Sequence, residues 1–210
     1  MAGLTFYTNP MSRGRMIRWM LEETGQPYDT VLLDYGTTMK SPEYLAVNPM
    51  GKVPAIRHGD AVVTECAAIC AYLADAFPEA GLAPAPGSAE RGAYYRWLFF
   101  GAGPVEAAVS NHALGITVPA ERERMMGYGS FAQVMETLDQ AVSEANGRGG
   151  WLAGDRFTAA DLYIGSHLGF GLAFKSIEDR PAFHAFHDRV KDRPAALRAA
   201  ALDDAAMPAR

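Results

Sequence analysis

The sequence predicts an α/β domain followed by an all-helical one. Three observations carry this. Strand and helix periodicities alternate up to residue 77 in the order βαβ, short helix, ββα. Residues 78–88 (PEAGLAPAPGS) then hold three prolines and two glycines, the composition of a connector. Beyond it only helical spacing is found, with no convincing strand. The expected division is 1–78, a linker at 79–87, and a helical domain at 88–210.

Each element has a local cause. Residues 4–7 are β-prone, and Asn9-Pro10 marks a turn. From Ser12 the pattern is helical: Ile17, Met20, Leu21 and Thr24 fall on one face, and Gly25 followed by Pro27 is a stop signal. Residues 28–33 read as a second strand. Ser41-Pro42-Glu43 reads as a cap with proline at the first helical position, opening a short helix to residue 47 that Asn48-Pro49-Met50-Gly51 ends. Strands are expected at 53–57 and 61–63 around a Gly59-Asp60 turn, and Thr64 is expected to cap a helix to residue 77. Helices follow at 89–114, 120–146, 159–174, 180–191 and 194–202, the first kinked or broken at Gly101-Ala102-Gly103-Pro104. Thr158-x-x-Asp161 is a variant of the capping box and is read as structural.

Composition narrows the function. Of 210 residues, 49% are apolar and 20% charged, which suits a globular chain and argues against disorder. A net charge of −5 disfavours general nucleic-acid binding, which needs clustered cations. Cys66 and Cys70 are the two cysteines, too few for a disulfide scaffold or a four-cysteine zinc site. The N-terminal residues do not read as a secretory signal, and the apolar stretch 162–174 is too short to span a bilayer. The expected compartment is the cytoplasm, with no membrane partner.

Familiar catalytic signatures fail. There is no phosphate-binding glycine loop, no HExxH, no GxSxG, and no CxxC after the first strand. His184 and His187 stand at i, i+3 without further ligands, so no metal is expected. What remains are two helix starts. Ser12 lies where the first strand hands over to the first helix, a position an N-cap alone would explain. Arg13 and Arg15 crowd the same start, where cations are disfavoured, which hints at an anion nearby. Thr64-Glu65-Cys66 opens another helix whose first amides could hold a carboxylate.

Four segments, in order, resemble the cytosolic glutathione transferase superfamily. They are residues 6–15 (FYTNPMSRGR); residues 48–56 (NPMGKVPAI), similar to the family's NPxGxVPxL; residues 64–69 (TECAAI), similar to (T/S)ESxAI; and residues 151–161 (WLAGDRFTAAD), similar to GDxxTxAD. The resemblance implies a bacterial-type, serine-activated enzyme with a thioredoxin-like N-terminal domain and an all-helical C-terminal domain. It implies a cis Val53-Pro54 peptide whose valine backbone pairs with the cysteinyl backbone of glutathione. It assigns Glu65 and Cys66 to the γ-glutamyl carboxylate and leaves Lys40 and Lys52 for the glycyl carboxylate. Cys66 departs from the family's serine, exchanging a hydroxyl for a weak thiol donor, so weaker glutathione binding is expected.

Glutathione brings its own nucleophile, so the protein has only to lower its pKa. Moving a thiol near 8.5 down by about two units takes roughly 2.7 kcal/mol. One hydroxyl donor at a helix start is of that size. Ser12 is favoured for the task; Tyr7, at the end of the first strand, is the rival. A hydrophobic electrophile is expected against Met11, Tyr94, Trp97 and His112, although Tyr94, Trp97 and their aromatic neighbours read equally well as core. The family implies a homodimer and a detoxifying role. Two alternatives stay open: a glutathione-dependent isomerase or reductase on the same fold, and a non-catalytic glutathione transferase-like binding protein.

Overall fold

The computed structural model describes residues 3–208. The chain forms two compact units: residues up to Gly81 together with those from Arg193 on, and Leu82–Asp192.

The first unit runs β1 (Leu4–Thr8), α1 (Gly14–Thr24), β2 (Asp29–Leu32), a 3₁₀ turn (Thr38–Lys40), α2 (Pro42–Leu45), β3 (Ala55–His58), β4 (Ala61–Thr64) and α3 (Cys66–Ala76). The sheet order is β2-β1-β3-β4, with β1 and β2 parallel and the other pairs antiparallel. β1 alternates as a half-buried strand should: Leu4, Phe6 and Thr8 point inward, while Thr5 and Tyr7 are half-buried. The apolar stripe Ile17, Met20, Leu21 and Thr24 of α1 is buried as its spacing predicts. The helix stops at Gly25, whose φ of 67° suits glycine. β2 is an edge strand with all four side chains exposed.

Three expectations here shift. The third strand begins at Ala55 rather than residue 53, because Pro54 cannot donate to the ladder. Ser12 is not the helix cap. Arg13 stands at that position without a side-chain bond to the first amides of the helix, because a tight turn from Asn9 to Ser12 precedes it. Nor does Thr64 cap α3: Glu65 does, also without a side-chain bond, at φ 66° and ψ 122°. That is a left-handed conformation a non-glycine residue adopts only at a cost.

The second unit contains α4 (Ala89–Phe100), a π-helical turn (Gly101–Val105), α5 (Glu106–Ala113), a 3₁₀ stretch (Ala120–Met125), α6 (Phe131–Gly147), α7 (Ala159–Ala173) and α8 (Pro181–Lys191). The break expected at Pro104 is that π turn. At Gly101 a side chain would come within 2.8 Å of the Tyr163 ring. The helix expected at 120–146 is two pieces. Gly129 adopts φ 69°, and Ser130 then starts α6 with a reciprocal Ser130–Gln133 capping box. At α7, Asp161 is fully buried and accepts from Leu152 N, Thr158 N and Thr158 Oγ1, each at 2.8 Å. Burial pushes its carboxyl up to about 6.

The last helix, α9 (Pro194–Ala205), belongs to the sheet unit, so the helical unit ends at Asp192 and not at residue 210. The reason is electrostatic and steric. Arg18 Nε meets Asp203 Oδ1 at 2.7 Å with both side chains buried, Arg193 Nε meets Glu23 at 2.6 Å, and Arg198 Nε meets Glu22 at 2.9 Å. Ala195 and Ala199 present the small buried face that permits a close approach to α1.

Candidate functional site

The sheet register brings most of the predicted site residues to one edge. Tyr7 pairs with Ala55 and Ala55 with Thr64, so the end of β1, the start of β3 and the end of β4 lie side by side. Neighbouring strands are spaced about 4.8 Å apart. The Pro10–Ser12 turn, the Val53-Pro54 segment and the Glu65-Cys66 pair therefore share that edge, and Leu33, just past β2, is tied to it by Asn9 Nδ2, which donates to Leu33 O at 2.8 Å.

The turn after β1 is tightly built. Ser12 is buried. Its N–H donates to Asn9 O at 3.0 Å, and its Oγ donates to the same carbonyl at 2.7 Å while accepting from Gly14 N at 2.9 Å. Met11 beside it is 57% exposed. The anion suspected next to Arg15 is the protein's own: Arg15 donates to Pro10 O at 2.6 Å and to Asp204 at 2.6 Å. Tyr7 packs differently from Ser12. Its ring lies 5.6 Å from that of Tyr44, against the cluster of Leu33, Met39, Tyr44 and Ala55.

The Val53-Pro54 peptide is cis, as the resemblance implies. Val53 lies beyond the last ladder pair, so strand pairing leaves its backbone groups unused. The preceding carbonyl, Lys52 O, accepts from Tyr44 Oη at 2.6 Å and Asn48 Nδ2 at 2.8 Å. Burial pushes the Tyr44 phenol up to about 12, which keeps it protonated as a donor. Lys40 Nζ donates to Met50 O and Gly51 O at 3.1 and 2.9 Å, so it braces this loop and retains one further donor. Lys52 is exposed. Glu65 is exposed at the head of α3 and Cys66 half-buried. Cys70, one turn on, is fully buried, and burial pushes its thiol up.

In the helical unit, Tyr94 is fully buried and Trp97 is 5% exposed, so the core role describes them better than cleft lining. His112 is exposed at the end of α5 and stacks on Phe131 at 4.1 Å between ring centroids. His184 and His187 go to separate partners, Asp179 and Gly165 O. Among the described residues no group of three or more His, Cys, Asp or Glu is placed to hold a metal ion, and no helix is long and apolar enough to cross a membrane.

Sequence reasoning missed Thr8 and Tyr44 as parts of this edge, and it missed Asp204 as the partner of Arg15. Thr8 carried a signal: it is a hydroxyl at an inward position of β1 where the alternation calls for hydrocarbon.

A mixed four-stranded sheet flanked by helices, with a cis-proline loop beside two helix starts, defines a thioredoxin-like domain, here accompanied by an all-helical unit. The family profile described as "Glutathione S-transferase, N-terminal domain" matches residues 11–76, and that described as "Glutathione S-transferase, C-terminal domain" matches residues 120–197. The chain is 30% identical over 185 residues to glutathione S-transferase GstA of Escherichia coli O157:H7, covering 83% of this chain and 86% of that protein. It superposes with a TM-score of 0.78 on glutathione transferase URE2P6 from Phanerochaete chrysosporium in complex with oxidized glutathione, at 26% identity over 98% of each chain. A glutathione transferase homolog from Sulfitobacter with bound glutathione superposes at a TM-score of 0.71, with 26% identity over 99% of this chain and 100% of that one. The chain belongs to the glutathione S-transferase family.

Proposed function

We propose that the chain is a glutathione transferase that activates the glutathione thiol for attack on a hydrophobic electrophile. The observation that carries the reading is the edge where the Ser12 turn, the Val53-Pro54 segment and the head of α3 stand side by side. Val53 N–H and C=O pair with the cysteinyl backbone. Glu65 and the opening amides of α3 take the γ-glutamyl group. Lys40 and Lys52 face the glycyl carboxylate. The glutathione thiol gives up its proton to solvent, and Ser12 Oγ turns its own proton from Asn9 O to the sulfur and holds it as thiolate. The Asn9 carbonyl still accepts from Ser12 N–H at 3.0 Å, so it is not left bare. The thiolate attacks the electrophilic carbon, the leaving group departs with the bond pair, and the thioether is released. Met11, exposed beside Ser12, faces the electrophile. A homodimer in the cytoplasm belongs to the same reading.

Ser12→Ala tests it, with conjugation to chlorodinitrobenzene as the readout. The expected outcome is a fall in kcat/KM of about 25-fold at pH 7, the thiolate lost when the thiol pKa returns from about 6.5 to about 8.5. Normal turnover in Ser12→Ala overturns the serine role, and loss in Tyr7→Phe alone moves the role to Tyr7, whose half-buried packing against Tyr44 favours scaffolding. A binding protein without turnover is the second reading. It is favoured by Cys66 in place of the family's serine and by the existing bond from Ser12 Oγ to Asn9 O. Retention on a glutathione column without conjugation would establish it.

A further inference from the structure

We propose that Thr8 is a positioning residue for the Ser12 hydroxyl: its own hydroxyl donates to Ser12 Oγ when Ser12 turns toward the glutathione sulfur. The proposal rests on the reading of Ser12 given above.

Thr8 is fully buried at the end of β1, and its Oγ1 has no hydrogen-bond partner. A buried hydroxyl without a partner is costly, and a hydrocarbon of the same shape would remove the cost. The inward positions before it, Leu4 and Phe6, are that hydrocarbon. The hydroxyl stands next to the site. The point where residue 14 would carry a Cβ is 1.9 Å from Thr8 Oγ1 and 2.9 Å from Ser12 Oγ, so both hydroxyls crowd the space that Gly14 leaves open.

Ser12 Oγ has two lone pairs and one proton. One lone pair takes Gly14 N–H, and the proton goes to Asn9 O. The second lone pair is the acceptor that Thr8 lacks. Once the Ser12 side chain turns to the sulfur, its Oγ comes within reach of the Thr8 hydroxyl, and a proton donated by Thr8 into that lone pair polarises Ser12 Oγ–H. A hydroxyl that accepts a hydrogen bond donates the next one more strongly. The chain Thr8–Ser12–sulfur then leaves no donor unused at the buried end. In the structure Ser12 Oγ donates to Asn9 O, and Thr8 Oγ1 has no partner.

Thr8→Val tests this, because valine keeps the shape and the β-branch and removes only the hydroxyl. A packing role alone predicts equal or higher thermal stability with an unchanged pH profile of kcat/KM. The proposal predicts equal or higher stability, an unchanged KM for glutathione, and a pH inflection of kcat/KM raised by about half a unit. At pH 6.5 kcat/KM falls about twofold, and Thr8→Ser restores it. In a Ser12→Ala background Thr8→Val has no further effect, since the hydroxyl acts through Ser12. An inflection that stays in place in Thr8→Val, while Ser12→Ala is impaired, overturns this proposal and leaves the serine reading standing. Full activity in Ser12→Ala overturns both. If Thr8→Val does not fold, Thr8→Ala compared with Thr8→Ser reads the same inflection.

Discussion

Two helix starts in this molecule are built on opposite plans. At α7 the protein closes its own end: Asp161 is buried and takes three donors at 2.8 Å, from Leu152 and Thr158. At α3 the cap residue is exposed Glu65, with no side-chain bond to the helix and a φ of 66°. α1 likewise starts on a residue whose side chain caps nothing. The start of α7 satisfies its amides internally. In the function proposed above, the amides at the head of α3 are completed by glutathione, and Glu65 there holds a backbone conformation that folding alone would not favour.

The sharpest way to break this contrast is Asp161→Ala. It strands Leu152 N, Thr158 N and Thr158 Oγ1 in a buried setting and is expected to cost about 4 kcal/mol in urea unfolding. Glutathione affinity of the folded fraction should not change. A loss below about 1 kcal/mol would show that the closed start is dispensable. Gly14→Ala comes next. Its Cβ would stand 1.9 Å from Thr8 Oγ1, so the turn must move, with a loss of about 2 kcal/mol and a larger fall in activity than in stability. Stability lost with activity intact would separate Gly14 from the site. Glu65→Gly has the smallest effect on folding and the opposite sign. Relief of the left-handed backbone is expected to raise stability by about 1 kcal/mol, while retention on immobilised glutathione falls. Glu65→Ala, which keeps the strained backbone and removes the acid, should lose retention without the gain. Equal retention in both would assign the site to the amides alone.

Much of the fold is legible in the sequence because its causes are local. The stripe of α1, the Gly25 stop, the Ser41-Pro42 entry, the π turn at Pro104 and the Thr158–Asp161 box each follow from residues within one or two turns. The site is legible where a motif is contiguous, as in 48–56 and 64–69. What escapes is decided at long range. Arg15 reads as a cation awaiting a ligand until Asp204 is seen beside it. Tyr44 is an ordinary helix residue until its phenol is found on Lys52 O. The expected cap at Ser12 fails because the tight turn after Asn9-Pro10 claims its hydroxyl before the helix begins. Thr8 lies inside the segment 6–15 but has no separate meaning without Gly14 across from it.

The pairing of α9 with α1 has a consequence for biosynthesis. Translation delivers the strands of the sheet unit early, but the arginine and aspartate partners of its first helix emerge only after Leu82–Asp192 has left the ribosome. Arg18 of the nascent sheet therefore has no Asp203 to pair with while Leu82–Asp192 is being made. Contacts this distant along the polymer are slow to form. Chaperone demand should fall on that interval, and not on the helical unit, which is continuous and can condense as it is made.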